Sequence, residues 1–253
     1  MGRGGDPLGL ADKIESQINS FMVRDWAIRK GQKIPDTLDL GLTAADGVEI
    51  EATFLYADLA ESSNFGQNLS NQDAAKIIKS FLYACTAIIK DHGGDVKSFD
   101  GDRVMGVFFG PLKEERAVRA AFNIHWEVVN VIGDKASRWI EWPSGVQTIR
   151  HATGIATGTA LMIRGGVRAN NDLAAIGSAP NVAAKLSEIR GLQERTFIDQ
   201  STWNLAFGDT WHAPDGTDLW TYQKVLAIAA SITSSTEATH KGNRATRCHS
   251  PTR

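Results

Sequence analysis

The chain has 253 residues, 42% of them hydrophobic and 22% charged, with a formal net charge of −2. That length supports one substantial core, as one domain or two small ones, and the composition excludes wholesale disorder. The charge gives no support for a nucleic-acid or membrane surface, no apolar run approaches the ~18–20 residues of a membrane helix, and Met1–Asp6 lacks the apolar core of a secretory signal. Cys85 falls in an apolar helical pattern and Cys248 in a polar tail, so neither a disulfide framework nor a zinc site is indicated. A cytoplasmic protein is expected, with neither nucleic acid nor membrane as a partner.

Residues 1–9 read as loose. From Leu10 to Arg29, Leu10, Ile14, Ile18, Phe21 and Met22 recur at helical spacing, which predicts a helix packed on its own domain, with a dimer contact or a link to a sensor as alternatives. An extended connection over 31–47 leads to a strand in which Val48, Ile50, Ala52, Phe54 and Tyr56 alternate with polar residues. That strand delivers Asp58 to the start of a polar turn, Glu61-Ser62-Ser63. Ser70–Asp73 resembles a capping box, and Ala74, Ile77, Phe81, Cys85 and Ile88 form the stripe of a helix stopped at His92-Gly93-Gly94. Asp100-Gly101 is a hairpin-turn dipeptide, with Asp102 opening the returning strand 104–109. A second helix follows Lys113, with Ala117, Val118, Ala121, Ile124 and Val128 facing inward and His125 packed beside them.

Strands over 148–157 and 160–163 flank Gly158, and Arg164–Arg168 reads as a basic loop, solvated or touching a phosphate. Ser178 and Pro180 start a helix with Val182, Leu186 and Ile189 inside. A short strand over 196–198, a short helix over 201–207, a last strand over 219–225 and a mobile tail complete the chain. The element order predicts an α+β fold, a ferredoxin-like βαββαβ sheet with its helices on one face.

Two features point to chemistry. Asp58 and Asp102, at adjacent strand ends, suit an oxygen-loving cation such as Mg2+ or Mn2+; singly, each also reads as a strand end or a solvated turn. Asn181 and Lys185, four apart, share a helix face on which an amide and a cation could hold a sugar and a phosphate, or simply meet solvent.

In order and spacing these pieces resemble the catalytic domain of class III nucleotide cyclases over roughly residues 46–225. FLYADLAESS is similar to that family's first metal-aspartate strand, GGDVKSFDGDRVMGVFFG to its second, HATGIATGTALMI to its central strand, and AIGSAPNVAAKLSEI to the loop and helix that complete the site. The resemblance implies two divalent metal ions, Mn2+ or Mg2+, on Asp58, Asp102 and the backbone carbonyl of Leu59. It also implies phosphate contacts around Ser62 and Ser63, a ribose contact from Asn181 and a transition-state cation at Lys185, where the family has arginine. The last two would come from the other subunit of a head-to-tail homodimer. The catalytic domain would be 46–226, preceded by a helix and connection over 1–45 and followed by a tail over 227–253.

Ser98 stands where adenylate cyclases carry a base-reading lysine, and Ala174 stands where they carry its partner aspartate. Lys97 could substitute, although strand alternation turns it away from Ser98. Tyr56, two residues before Asp58, would narrow the base pocket, or else is a core tyrosine. This combination resembles the bacterial pyrimidine cyclases of antiphage defence, more the uridylate than the cytidylate branch. It implies a UTP substrate, cyclic UMP as product and a separate cyclic-nucleotide-responsive effector. An adenylate cyclase and a cyclase-like regulatory module are the alternatives; a diguanylate cyclase, echoed in HGGDVKSF, is discounted because its metal hairpin would lie at Gly93-Gly94.

Overall fold

The computed structural model describes residues 9–60, 62, 65, 68–142, 148–191, 195–206, 220–223 and 245–248. The chain divides into two compact units, residues 1–50 with 161–175, and residues 51–160 with 176–253. Two long strands, β2 (Asp46–Ala60) and β5 (Arg150–Val167), run through both. Their length is why these units do not follow the boundary at 45/46 read from the sequence.

In the first unit, helix α1 (Leu10–Val23) precedes β1 (Ala27–Lys30), which pairs in parallel with the start of β2 from Ala27↔Asp46 to Lys30↔Glu49. The expected helix is therefore shorter, and its last residues are recruited to a sheet edge. No residue of α1 is buried, and Leu10, Ile14, Ile18 and Met22 are all exposed, so the stripe does not pack on its own unit. The core here is Leu40, Val48, Ile50, Met162 and Leu173. The expected loop over 164–168 is strand as far as Val167, with Arg168 in the turn. β5 continues to Val167 and pairs with β6 (Asn170–Ile176). Arg164 donates to Asn171 Oδ1 at 2.8 Å and to the Leu40 carbonyl at 3.3 Å. Gly166 is obligatory in the hairpin. Its φ is +111°, and a Cβ there would lie 2.3 Å from the Asn170 carbonyl oxygen.

The second unit holds a sheet in the order β3-β4-β2-β5-β7-β9-β8, with β3 at Asp95–Asp100, β4 at Arg103–Phe108, β7 at Thr196–Asp199, β8 at Trp220–Gln223 and β9 at Ala245–Cys248. β4 is antiparallel to both β2 and β3, while β5 and β7 are parallel. Helix α2 (Asn71–Asp91) starts at Ser70, whose Oγ accepts from the Asp73 amide at 3.1 Å, the expected cap. Helix α3 (Lys113–Glu127) runs through a π turn (Val128–Ile132) into α4 (Gly133–Trp139). Phe81, Cys85 and Ile89 of α2 and Ala117, Val118, Ala121 and Ile124 of α3 bury against Leu55, Leu59, Val104, Phe108, Ile155 and Ile198 of the sheet. Each large side chain buried there contributes about 1.5–3 kcal/mol. This is the α+β sheet the element order predicts.

Helix α5 (Ser178–Ser187) lies on β5 at unusually close range. A Cβ on Gly154 would stand 2.1 Å from the Ala183 carbonyl oxygen and 2.5 Å from the Ser187 amide, and one on Gly158 would stand 3.2 Å from the Ala179 Cβ. Gly154 and Gly158, four apart on one strand face, thus form the seat on which α5 rests. The two strands expected around Gly158 are one, because these glycines admit a helix without breaking the ladder.

β9 falls within the segment read from the sequence as a mobile tail, and pairs with β7 and β8. The rest of 227–253 lies outside the described residues. Among the described residues no helix is long and apolar enough to cross a membrane.

Candidate active site

The site is built on three neighbouring strands of the second unit. The β2–β4 register sets Tyr56 opposite Met105 and Asp58 opposite Arg103, and the β4–β3 register sets Met105 opposite Ser98 and Arg103 opposite Asp100. Cross-strand partners share a face, so Tyr56, Met105 and Ser98 form one row, and Asp58, Arg103 and Asp100 the next. The sequence pattern anticipated the first carboxylate correctly as a strand-end group.

Asp102 sits one residue away from its expected place. Asp100 pairs with Arg103, so the two-residue loop is Gly101-Asp102, and β4 begins at Arg103. Gly101 has φ +61°, the demand of a tight hairpin on its first central residue. Asp102 is therefore a turn residue at the mouth of the β2–β4 ladder, next to the Asp58↔Arg103 pair. The β-bulge between Val96 and Ser98 leaves Lys97 as the extra residue of β3, so simple alternation does not decide its direction. The Lys97 ammonium lies 3.8 Å from Asp95 Oδ2, with little of its side chain exposed.

Asp58 is 7% exposed. Its Oδ2 accepts from Arg190 Nη2 at 2.6 Å and from Arg103 Nη2 at 3.5 Å, and Arg103 Nη2 also donates to Glu188 Oε1 at 3.0 Å. Burial pulls the Arg103 guanidinium down, but Asp58 and Glu188 outweigh it and hold its pKa above the ordinary arginine value. Asp102 Oδ2 is buried and accepts no hydrogen bond among the described residues, an arrangement that costs about 1–3 kcal/mol for a group left unsatisfied. A buried carboxylate at Asp58 and an orphaned carboxylate oxygen at Asp102, the residue next to Asp58's register partner Arg103, are both hard oxygen donors that fit a divalent cation. No group of three or more His, Cys, Asp or Glu ligands exists among the described residues. Mg2+-type sites need no such group, since one or two carboxylates are completed by substrate phosphates and water.

Tyr56 Oη donates to Met105 Sδ at 2.8 Å and is half-buried. Burial, aided by Asp100 and opposed by Arg103, raises the phenol above its usual pKa, so it stays a neutral donor. Ser98, beside Met105, is also half-buried. Leu59 places its side chain in the core, leaving only its main chain for a ligand. Ser62 is half-buried, and Ser63 lies outside the described residues. Asn181 is exposed in the first turn of α5 and Lys185 is half-buried one turn on.

Arg103, Glu188 and Arg190 were missed from the sequence. Arg103 directly follows Asp102, which is the signal for it. Arg190 reads as an ordinary basic residue after a helix C-terminus, and it does donate to the Ser187 and Ile189 carbonyls.

The chain is 41% identical over 198 residues to a uridylate cyclase of Rhodovulum sp. strain MB263, covering 78% of this chain and 82% of that protein. The chain belongs to the uridylate cyclases, within the class III nucleotide cyclases. A uridylate cyclase of Xanthomonas perforans is 35% identical over 84% of this chain and 90% of its own length. The adenylyl cyclase CyaB from P. aeruginosa superposes with a TM-score of 0.60 at 17% identity, over 81% of this cyclase and 96% of that chain. A bacterial light-regulated adenylyl cyclase reaches 0.62 at 17% identity, where this cyclase spans about half of the longer chain (53%). These likenesses establish the fold. No family model matches the chain. As a class III nucleotide cyclase the protein is a phosphorus–oxygen lyase.

Proposed function

We propose that this cyclase converts UTP to 3′,5′-cyclic UMP and pyrophosphate. The observation that carries the base choice is the row Tyr56–Met105–Ser98, which puts a phenol and a small hydroxyl where a purine-reading lysine is missing. The phenol's present acceptor is a thioether, a weak one, so exchange for a uracil carbonyl oxygen gains a stronger hydrogen bond. The Ser98 hydroxyl, beside it, can accept from the ring N–H. The ring of Tyr56 leaves less room for a two-ring base.

In the reaction the ribose 3′ oxygen bonds to the α-phosphorus as the bond to the pyrophosphate oxygen breaks, and the hydroxyl proton passes to solvent. Asp58, Asp102 and the Leu59 carbonyl would hold two divalent cations, Mn2+ or Mg2+. Bound there, these supply the charge that acidifies the 3′-hydroxyl and stabilises the leaving pyrophosphate. The turn at Ser62 and Ser63 would cradle the phosphates. Asn181 would orient the ribose, and Lys185 would place a positive charge beside the reacting phosphate without the planar fork of arginine. The exposure of Asn181 in the single chain suits delivery to a second subunit, so a head-to-tail homodimer is part of this reading. So are a catalytic domain over 46–226, a cytoplasmic location, and a role for cyclic UMP as a second messenger of antiviral defence, read by a separate effector.

The test is incubation of the purified protein with each of the four ribonucleoside triphosphates and Mn2+. Cyclic UMP is expected as the main product. Dominant cyclic AMP would overturn the base assignment, and tight nucleotide binding without any product would favour a regulatory module.

A further inference from the structure

Asp58 sits in a cluster of two arginines and two carboxylates, with Glu188 as the other acid. Two guanidinium groups converge on Asp58 Oδ2, and they differ in what else holds them. Arg103 has a second anion, Glu188 at 3.0 Å, and its Nε is buried. Arg190 has Asp58 as its described anion; its other acceptors are the neutral carbonyls of Ser187 and Ile189 at the end of α5. One third of the Arg190 side chain is exposed, against about a fifth of Arg103. A cation taking Asp58 would leave Arg103 still paired and Arg190 without an anion among the described residues, able to swing from a helix end already fixed on β5 by Gly154. The anion that arrives with the cation is a triphosphate.

We propose that Arg190 is a substrate-binding residue of this site. Its guanidinium neutralises Asp58 before the cation enters and then moves to the triphosphate, supplying from the same chain the planar fork that Lys185 lacks. The inference rests on the cyclase reading above. It also ties the segment just after α5, the helix that bears Asn181 and Lys185, to the state of Asp58, since Arg190 and Asp58 are 132 residues apart in sequence.

The exchange has a signature that loss of structure does not imitate, because two affinities move in opposite directions. In Arg190→Gln, Mn2+ binding without nucleotide, followed by the loss of the free-ion paramagnetic resonance signal, should tighten by about fivefold, the worth of a partly exposed ion pair. Binding of a non-hydrolysable UTP analogue at saturating Mn2+ should weaken by about tenfold, the worth of a charged hydrogen bond. Arg190→Lys, which keeps the charge but not the fork, should leave Mn2+ affinity near wild type and still weaken the analogue, and it serves if the glutamine variant does not fold. Unchanged Mn2+ affinity or unchanged analogue affinity in a folded Arg190→Gln protein overturns the proposal. Asp58→Asn in the wild-type background separates the two levels. If it leaves Mn2+ binding intact, the metal reading itself fails; if it abolishes Mn2+ binding while Arg190→Gln changes nothing, only the exchange fails.

Discussion

Asp58 and Asp102 differ in how the fold treats them, and their variants should show it. Asp58 is compensated by two arginines, whereas Asp102 keeps a buried oxygen with no partner among the described residues. Asp58→Asn and Asp102→Asn should each lower the rate at least about a hundredfold, because several kcal/mol of charge stabilisation is at stake. Initial rates with UTP and Mn2+, with circular dichroism to verify the fold, check this. Asp102→Asn should cost little or no stability in a urea melt without metal, since it removes a charge that nothing described balances. Tyr56→Phe keeps the ring and loses the Oη–Sδ contact. It should raise the KM for UTP about tenfold while leaving the purine nucleotides poor substrates. A drop in melting temperature with no change in KM would mark Tyr56 as a core tyrosine instead.

At the scale of elements, the seat of α5 and the start of β5 make separate predictions. Gly154→Ala drives a Cβ into the main chain of α5, which cannot yield as a side-chain end could. It should cost about 1–3 kcal/mol in urea unfolding and lower turnover as well, because Asn181 and Lys185 move with the helix. His151 at the start of β5 is 2% exposed and stacks 5.2 Å from the ring of His125 on α3. His151 Nε2 and His125 Nδ1 are buried and unpartnered among the described residues. Burial first, then His125, Arg195 and Arg190, push the His151 pKa well below the ordinary histidine value, and burial with Arg195 lowers that of His125. Both rings are therefore neutral in the fold and bind protons more readily when unfolded. The stability they allow is complete above about pH 6.5 and falls as the pH drops below it. Thermal melts between pH 7.5 and 5.5 should show a declining melting temperature, and His151→Leu should flatten that slope.

For the whole molecule, a head-to-tail dimer makes a complementation test decisive. Asp58→Ala and Asn181→Ala should each be inactive alone. Mixed and allowed to exchange subunits, they should regain about a quarter of wild-type activity, since half of the dimers are mixed and each holds one intact site. No recovery, despite exchange verified by differential tagging, would place both residues in one subunit's site.

The sequence by itself determined the α+β order of elements, the strand carrying Asp58, the cap at Ser70 and the helix carrying Asn181 and Lys185. Each of these is a local pattern, a period of two or of 3.6 ended by a turn or a cap, written within some twenty residues. The family motifs extended that reading because their order along the chain is the order in which the elements of the fold occur. Only the tertiary structure decided the rest. It moved Asp102 into the hairpin turn, through the demand of a two-residue loop for Gly101 at its first position. It left the stripe of α1 exposed, because an apolar period says that a face wants burial and not what will cover it. Above all it brought Arg190 to Asp58, a contact fixed by how α5 seats on Gly154 and by the register of β2 on β4, which no periodicity within either segment encodes.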